Sequence, residues 1–212
     1  MADVKICGIK TKQDLQAATR AGARWVGFVF FPKSPRHLTV DAAAELRQAA
    51  DDLADRPEIV ALTVDADDAL LDDIVAAARP DLIQCHGQET PDRIRMIKAR
   101  YHRPVMKAIR VKDTASLDAA KAYDGHADLM LFDSAPAQAD LPGGTGHAFD
   151  WGLMSAWQGS TPWMLAGGLT PENVADAIMI SGATAVDVSS GVEHQPGNKD
   201  HAAIHRFVSA AR

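Results

Sequence analysis

The chain has 212 residues, 47% of them apolar and 24% charged, with a formal net charge of −6. That length and balance suit one soluble globular domain with a sizeable core, here expected over residues 1–212. The acidic surplus argues against a general nucleic-acid partner, because phosphate backbones select basic surfaces, yet leaves room for a small anion held by local positive charge. No apolar run reaches membrane-spanning length, and Met1, Ala2 and Asp3 do not begin a basic-then-apolar leader. Two cysteines far apart, Cys7 and Cys85, read as unpaired thiols of a cytoplasmic chain.

Eight apolar, β-rich runs follow one another at 4–9, 25–30, 59–64, 82–85, 105–109, 129–132, 163–166 and 185–188. Between them lie Ala-, Leu- and charge-rich segments of helical period at 14–21, 40–54, 69–78, 91–100, 114–122, 171–180 and 202–211. Thr39, Thr90 before Pro91, and Thr170 before Pro171 and Glu172 mark helix starts; Gly22 and Gly182 mark stops. The pattern predicts an α/β fold, a (β/α)8 TIM barrel, with strands apolar throughout because both sheet faces are covered. A doubly wound open sheet is the rival. It would announce a glycine-rich dinucleotide or P-loop turn after the first strand, where this chain has Cys7, Gly8, Ile9, Lys10 and Thr11.

In such a barrel the site gathers where strands end and helices begin. Those positions carry Cys7 and Gly8, the segment 31–36, Asp65, the segment 84–87, Arg110, Asp133 and Ser134, the segment 166–168, and the segment 187–191. The opposite ends, such as Arg56 with Pro57 and Arg79 with Pro80, read as plain connections.

Asp133 ends a run that is otherwise apolar. A carboxylate there is either capped or ion-paired, or it does chemistry. Cys7 is either a small core residue or a base or nucleophile. A free thiol titrates near about 8.5, so a base at this position wants a positive group nearby. Lys5 shares its side of the strand, and a Lys5–Asp187 pair inside the closed barrel would supply one. Gly167 and Gly168 after the seventh run, with Ser189, Ser190 and Gly191 after the eighth, fit a phosphate site of backbone N–H groups, to which a short helix after strand eight would add its positive end. Arg36, in a loop stiffened by Pro32 and Pro35, suits a two-bond grip on a carboxylate, or is a solvated arginine. Gly143, Gly144, Thr145 and Gly146 form either a lid or a flexible connection. Gln84 and His86 share one side of strand four. The scattered histidines and distant cysteines predict no metal.

These residues, taken together, resemble a known family. Lys5 to Gly8, Phe28 to Phe30 leading to Ser34, Pro35 and Arg36, and the run Gln84, Cys85, His86, Gly87 carry the likeness. So do Asp133 ahead of Gly143 to Gly146 with Phe149 and Trp151, then 165–169, 187–193, Pro196, Gly197, Lys199 and Asp200. The chain is similar to the phosphoribosylanthranilate isomerases of tryptophan biosynthesis. It departs at Cys85, where that family usually has leucine and where the side chain should point away from the lumen.

The resemblance implies an Amadori rearrangement of N-(5-phosphoribosyl)anthranilate without cofactor. Asp133 would protonate the ribose ring oxygen and Cys7 would remove the C2 proton. Arg36 would hold the anthranilate carboxylate, and the two glycine turns the phosphate. Gln84, His86, Gly144 and Thr145 join the substrate-binding set. The partner is a small molecule, with neither nucleic acid nor membrane, and the chain is a monomer or homodimer. A related histidine-pathway isomerase would use aspartates for both steps and carry a second glycine turn after strand three, where this chain has Asp65. An epimerase or aldolase on this fold would show metal ligands or a strand-six lysine in the place of Asp133. A barrel that only binds a phosphorylated metabolite is the remaining alternative.

Overall fold

The computed structural model describes residues 1–134 and 150–212. Eight parallel strands close on themselves in sequence order: β1 (Asp3–Cys7), β2 (Trp25–Phe30), β3 (Glu58–Thr63), β4 (Leu82–Cys85), β5 (Val105–Val111), β6 (Leu129–Ser134), β7 (Trp163–Leu165) and β8 (Ala185–Val188). β8 returns to β1 with Lys5 opposite Asp187 and Ile6 opposite Val188, so the barrel has no free edge. The helices are α1 (Lys12–Ala21), α2 (Val40–Asp51), α3 (Asp68–Ala78), α4 (Pro91–Tyr101), α5 (Thr114–Ala120), α6 (Val174–Ser181) and α7 (His201–Ala210).

Local chemistry explains most boundaries. Thr39 and Thr90 accept from the backbone N–H groups of Ala42 and Arg93, the expected N-terminal caps. Gly22 and Gly182 end α1 and α6 in the left-handed region. The third expected start is displaced, because α6 begins at Val174 rather than at Pro171. Asn173 accepts from the Thr170 N–H with its side-chain oxygen and donates from Nδ2 to the Gly168 carbonyl. That brace holds 168–173 as a turn and delays the helix. A 3₁₀ helix, Trp151–Ala156, precedes β7, where periodicity suggested nothing. Trp157 just beyond it meets Phe132 edge-on, with ring centroids 5.0 Å apart.

The two faces of each strand divide the core. Outward side chains such as Ile6, Phe28, Ile83 and Phe132 pack under the helices. Inward ones, including Val60, Leu82, Met106, Leu131 and Met164, plug the barrel floor. At the helix-to-strand end, ion pairs stitch strand starts together: Arg24 with Asp3 and Glu58, and Arg56 with Asp81. At the other end β5 and β6 run beyond their apolar stretches, pairing Arg110 with Asp133 and Val111 with Ser134. That extension carries Asp133 to the barrel mouth on a strand rather than on a loop. No helix of the described residues is long and apolar enough to cross a membrane.

Candidate active site

Above the apolar plug, the lumen turns polar. Lys5, Gln84 and Asp187 are nearly or wholly buried, and Cys7 and His86 stand two residues beyond Lys5 and Gln84, toward the strand mouths, as Asp133 does beyond Leu131. That spacing follows from the period of two along β1, β4 and β6.

Lys5 donates to Asp187 Oδ1 at 2.9 Å, and its side chain has no exposure. The pair anticipated across the closing seam of the barrel is therefore present. Cys7 sits over it. Gly27, opposite Cys7 on β2, is what leaves the room: a Cβ there would stand 3.0 Å from Cys7 Sγ and 3.2 Å from Lys5 Nζ. Burial pushes the Cys7 thiol above its ordinary value, the Lys5 ammonium pulls it down, and Asp187 pushes it up again. The net shift is upward, so Lys5 alone does not make a resting thiolate.

Across the lumen, Gln84 Nε2 and His86 Nδ1 are 2.9 Å apart. An amide nitrogen can only donate, so with Nε2 in that position Nδ1 accepts and a neutral ring carries its proton on its own Nε2. That nitrogen lies 3.5 Å from Asp133 Oδ2 and has no hydrogen-bond partner among the described residues. Gln84 is fully buried and off the pocket wall, one layer below His86. Expected as a substrate contact, it instead orients His86, because the pleat places residue 84 beneath residue 86.

Cys7, His86 and Asp133 open into one pocket that is continuous with solvent. Arg36 and the turns at 167–168 and 189–191 line it as well. Gly167 and Gly168 have positive φ, and a side chain on Gly167 would strike Ser134. Likewise Gly191 lies against the Leu169 carbonyl, where no Cβ fits. The helix expected after β8 is a single 3₁₀ turn, Ser190–Val192, too short for a useful dipole, so an anion there meets N–H groups and hydroxyls only. The Ser189 hydroxyl is already donated to the Cys7 carbonyl at 3.2 Å, which leaves Ser189 its backbone for a ligand.

Arg36 is buried rather than solvated. Its Nε and Nη2 donate to the two carboxylate oxygens of Glu193 at 2.8 and 2.7 Å, a partner 157 positions away that local sequence does not announce. Gly8, in the left-handed region, leaves space for the arginine stem: a Cβ there would come within 2.6 Å of Arg36 Cδ. Beside Arg36, Val29, Phe31, Leu62 and Val64 form an apolar wall. None of the four is among the site residues expected from sequence; their signal is apolar side chains at lumen-facing positions of strand mouths.

Asp65, at the mouth of β3, is structural: it accepts from the Gln88 N–H and has a positive φ. Cys85 points outward into the helix-facing core, and burial pushes its thiol to about 12. Gly144 and Thr145, with the rest of the glycine loop, lie outside the described residues. Among the described residues, no group of three or more His, Cys, Asp or Glu is placed to hold a metal.

Comparison with known proteins gives a consistent set. The family described as N-(5'phosphoribosyl)anthranilate (PRA) isomerase matches residues 4–210. The N-(5'-phosphoribosyl)anthranilate isomerases of Brucella canis and Brucella abortus are each 50% identical over 98% of this chain and 93% of theirs. The crystal structure of phosphoribosyl anthranilate isomerase from Thermotoga maritima superposes with a TM-score of 0.86 at 34% identity, covering 100% of this chain and 98% of that one. A phosphoribosyl anthranilate isomerase in complex with reduced 1-(o-carboxyphenylamino)-1-deoxyribulose 5-phosphate superposes at 0.83, with 33% identity and the same coverage.

Proposed function

We infer the roles of Cys7, Asp133 and Arg36 from the premise that this chain belongs to the N-(5'-phosphoribosyl)anthranilate isomerase family. The protein is an isomerase of tryptophan biosynthesis on a TIM barrel. Its reaction converts N-(5-phosphoribosyl)anthranilate to 1-(2-carboxyphenylamino)-1-deoxyribulose 5-phosphate. One pocket lined by a thiol, a carboxyl, an arginine and two glycine turns is the observation that supports the assignment of roles.

In this reading the phosphate lies on the backbone N–H groups of Gly167, Gly168, Ser190 and Gly191. The carboxylate meets the edge of Arg36 that Glu193 leaves free, and the anthranilate ring packs on Val29, Phe31, Leu62 and Val64. The two anchored ends hold the sugar between the acid and the base, which is the proximity contribution. Asp133, protonated, gives its proton to the ribose ring oxygen. The C1–O bond breaks as the amine nitrogen forms a double bond to C1, leaving a Schiff base and an Asp133 carboxylate. The Cys7 thiolate then takes the C2 proton, and the C2–H electron pair runs to nitrogen through the C1–C2 bond. The enolamine tautomerises to the ketone, and both side chains regain their starting state over the cycle. His86, with its proton on Nε2, steadies the Asp133 carboxylate between the two steps. Each acid–base group contributes about 10²–10⁴-fold.

The chain acts as one catalytic domain over residues 1–212 in the cytoplasm, as a monomer or homodimer; a Thermotoga maritima relative is described as dimeric. The test uses substrate made in situ from anthranilate, phosphoribosyl pyrophosphate and the transferase, with its fluorescence decay followed. Wild type accelerates the decay. Asp133→Asn should lose about 10³-fold of kcat while binding the reduced product analogue within about threefold of wild type. Normal turnover by Asp133→Asn would remove the acid assignment.

A further inference from the structure

Glu193 carries no role in the acid–base scheme, yet it is among the most heavily bonded side chains at the pocket rim. It begins a two-stranded hairpin, Glu193–Gln195 with Asn198–Lys199, immediately after the Ser190–Val192 turn. Its Oε1 accepts from Arg36 Nε at 2.8 Å and from Lys199 Nζ at 2.7 Å. Its Oε2 accepts from Arg36 Nη2 at 2.7 Å and from the Gly197 N–H at 3.2 Å. Two acceptances per oxygen use the capacity of a carboxylate, so it has one orientation. The side chain is almost wholly buried, at 3% exposure.

The partners are equally fixed. Lys199 has no side-chain exposure, and its ammonium also donates to the Ser189 carbonyl at the start of the phosphate turn. The hairpin tip presses on the loop that carries the arginine: Gly197 lies against the Pro35 carbonyl, where a Cβ would clash, and Lys10 donates to the same carbonyl at 3.1 Å. Glu193 takes Arg36 by the Nε–Nη2 side. The Nη1–Nη2 edge, with its own two parallel donors, has no second partner among the described residues, and Arg36 lines the pocket. Two cations against one carboxylate leave a single positive charge at this rim.

We propose that Glu193 is a positioning residue: it clamps Arg36 side-on so that the free guanidinium edge faces the substrate carboxylate, and through Lys199 it keeps that clamp in register with the phosphate turn. This rests on the reading of Arg36 as the carboxylate-binding residue. The opposite view of the same contact is competition, in which Glu193 occupies an arginine that the substrate needs. The two views predict opposite signs.

The experiment measures steady-state kinetics for Glu193→Gln, Arg36→Ala and the double variant, with Glu193→Asp alongside as the conservative change. Glu193→Gln keeps the shape but loses the second acceptor oxygen for Arg36. It should raise KM about tenfold to thirtyfold as Arg36 regains rotamer freedom, with kcat within about threefold. Glu193→Asp keeps the charge but withdraws the carboxylate, and should show the same split to a smaller degree. In the Arg36→Ala background the further effect of Glu193→Gln on KM should fall below about twofold, because both changes remove one device. A lower KM for Glu193→Gln would establish competition and overturn the proposal. So would wild-type KM in both Glu193 variants alongside a raised KM in Arg36→Ala, or an undiminished Glu193→Gln effect in the Arg36→Ala background. A wild-type KM in Arg36→Ala itself would instead sink the carboxylate reading of Arg36, and this inference with it.

Discussion

The two sides of the lumen solve different problems. On the β1–β8 side, Cys7 sits over a fully buried ion pair, Lys5 with Asp187 at 2.9 Å. On the β4–β6 side, Asp133 faces the His86 imidazole, whose far nitrogen meets the Gln84 amide, and no lysine or arginine hydrogen-bonds to Asp133 among the described residues. Under the proposed roles, a carboxyl that must release and retake a proton is served by a directional neighbour without a permanent charge, because a permanent cation would hold it ionised. On the same reading, a thiol that must become a thiolate needs a cation, but an unpaired buried lysine would be costly, so Asp187 accompanies it. The companion has a price: Asp187 opposes thiolate formation, and burial opposes it more. Anchoring on one side is electrostatic, and on the other it is geometric.

Breaking the proposed base should have the largest effect. Cys7→Ser replaces the thiol with a much weaker acid, and kcat should fall by about 10³-fold or more, with analogue affinity by calorimetry within about threefold. Lys5→Met attacks the ion pair and comes next. It leaves Asp187 buried and unpaired, with an expected loss of about 3–5 kcal/mol in denaturant unfolding and of about 10²-fold in kcat. The double change Lys5→Met/Asp187→Leu should recover most of the stability and little of the kcat, separating structural cost from chemical use.

The pH profile sharpens the comparison without mutation. A raised thiol pKa leaves less thiolate at a given pH, so kcat/KM should climb from neutrality into the alkaline range, with an inflection above the ordinary thiol value of about 8.5. Lys5→Met should move that inflection higher still. An inflection below the ordinary value would mean that Lys5 outweighs both burial and Asp187. Smallest of all, Gly27→Ala pushes a methyl against Cys7 Sγ and Lys5 Nζ. It should cost about 1–3 kcal/mol of stability and about fivefold in kcat, while leaving the Asp133 side untouched.

Much of this was legible in the chain. The eight strands fall within a residue or two of their apolar runs, and Cys7 and Asp133 stand at strand mouths as expected. Lys5 opposite Asp187 followed from barrel closure and the period of two. Other features were not legible, for reasons that can be named. The delay of α6 comes from the Asn173 side chain, whose bonds a propensity reading does not weigh. Gln84 differs from His86 only by depth, which depends on where the strand meets the pocket floor. The capture of Arg36 by Glu193 joins a loop after β2 to a hairpin after β8, and no local pattern encodes it.

By itself, then, the sequence determined the barrel and its polarity, and set Cys7 and Asp133 at strand mouths. Apolar period, threonine caps and glycine stops act over a few residues, and the closed ring admits one strand order once eight strand–helix units are present. Tertiary structure alone decided which edge of Arg36 Glu193 takes and which apolar side chains wall the pocket. Those facts depend on side chains from distant parts of the chain meeting at the barrel mouth, as Arg36 meets Glu193 across 157 positions.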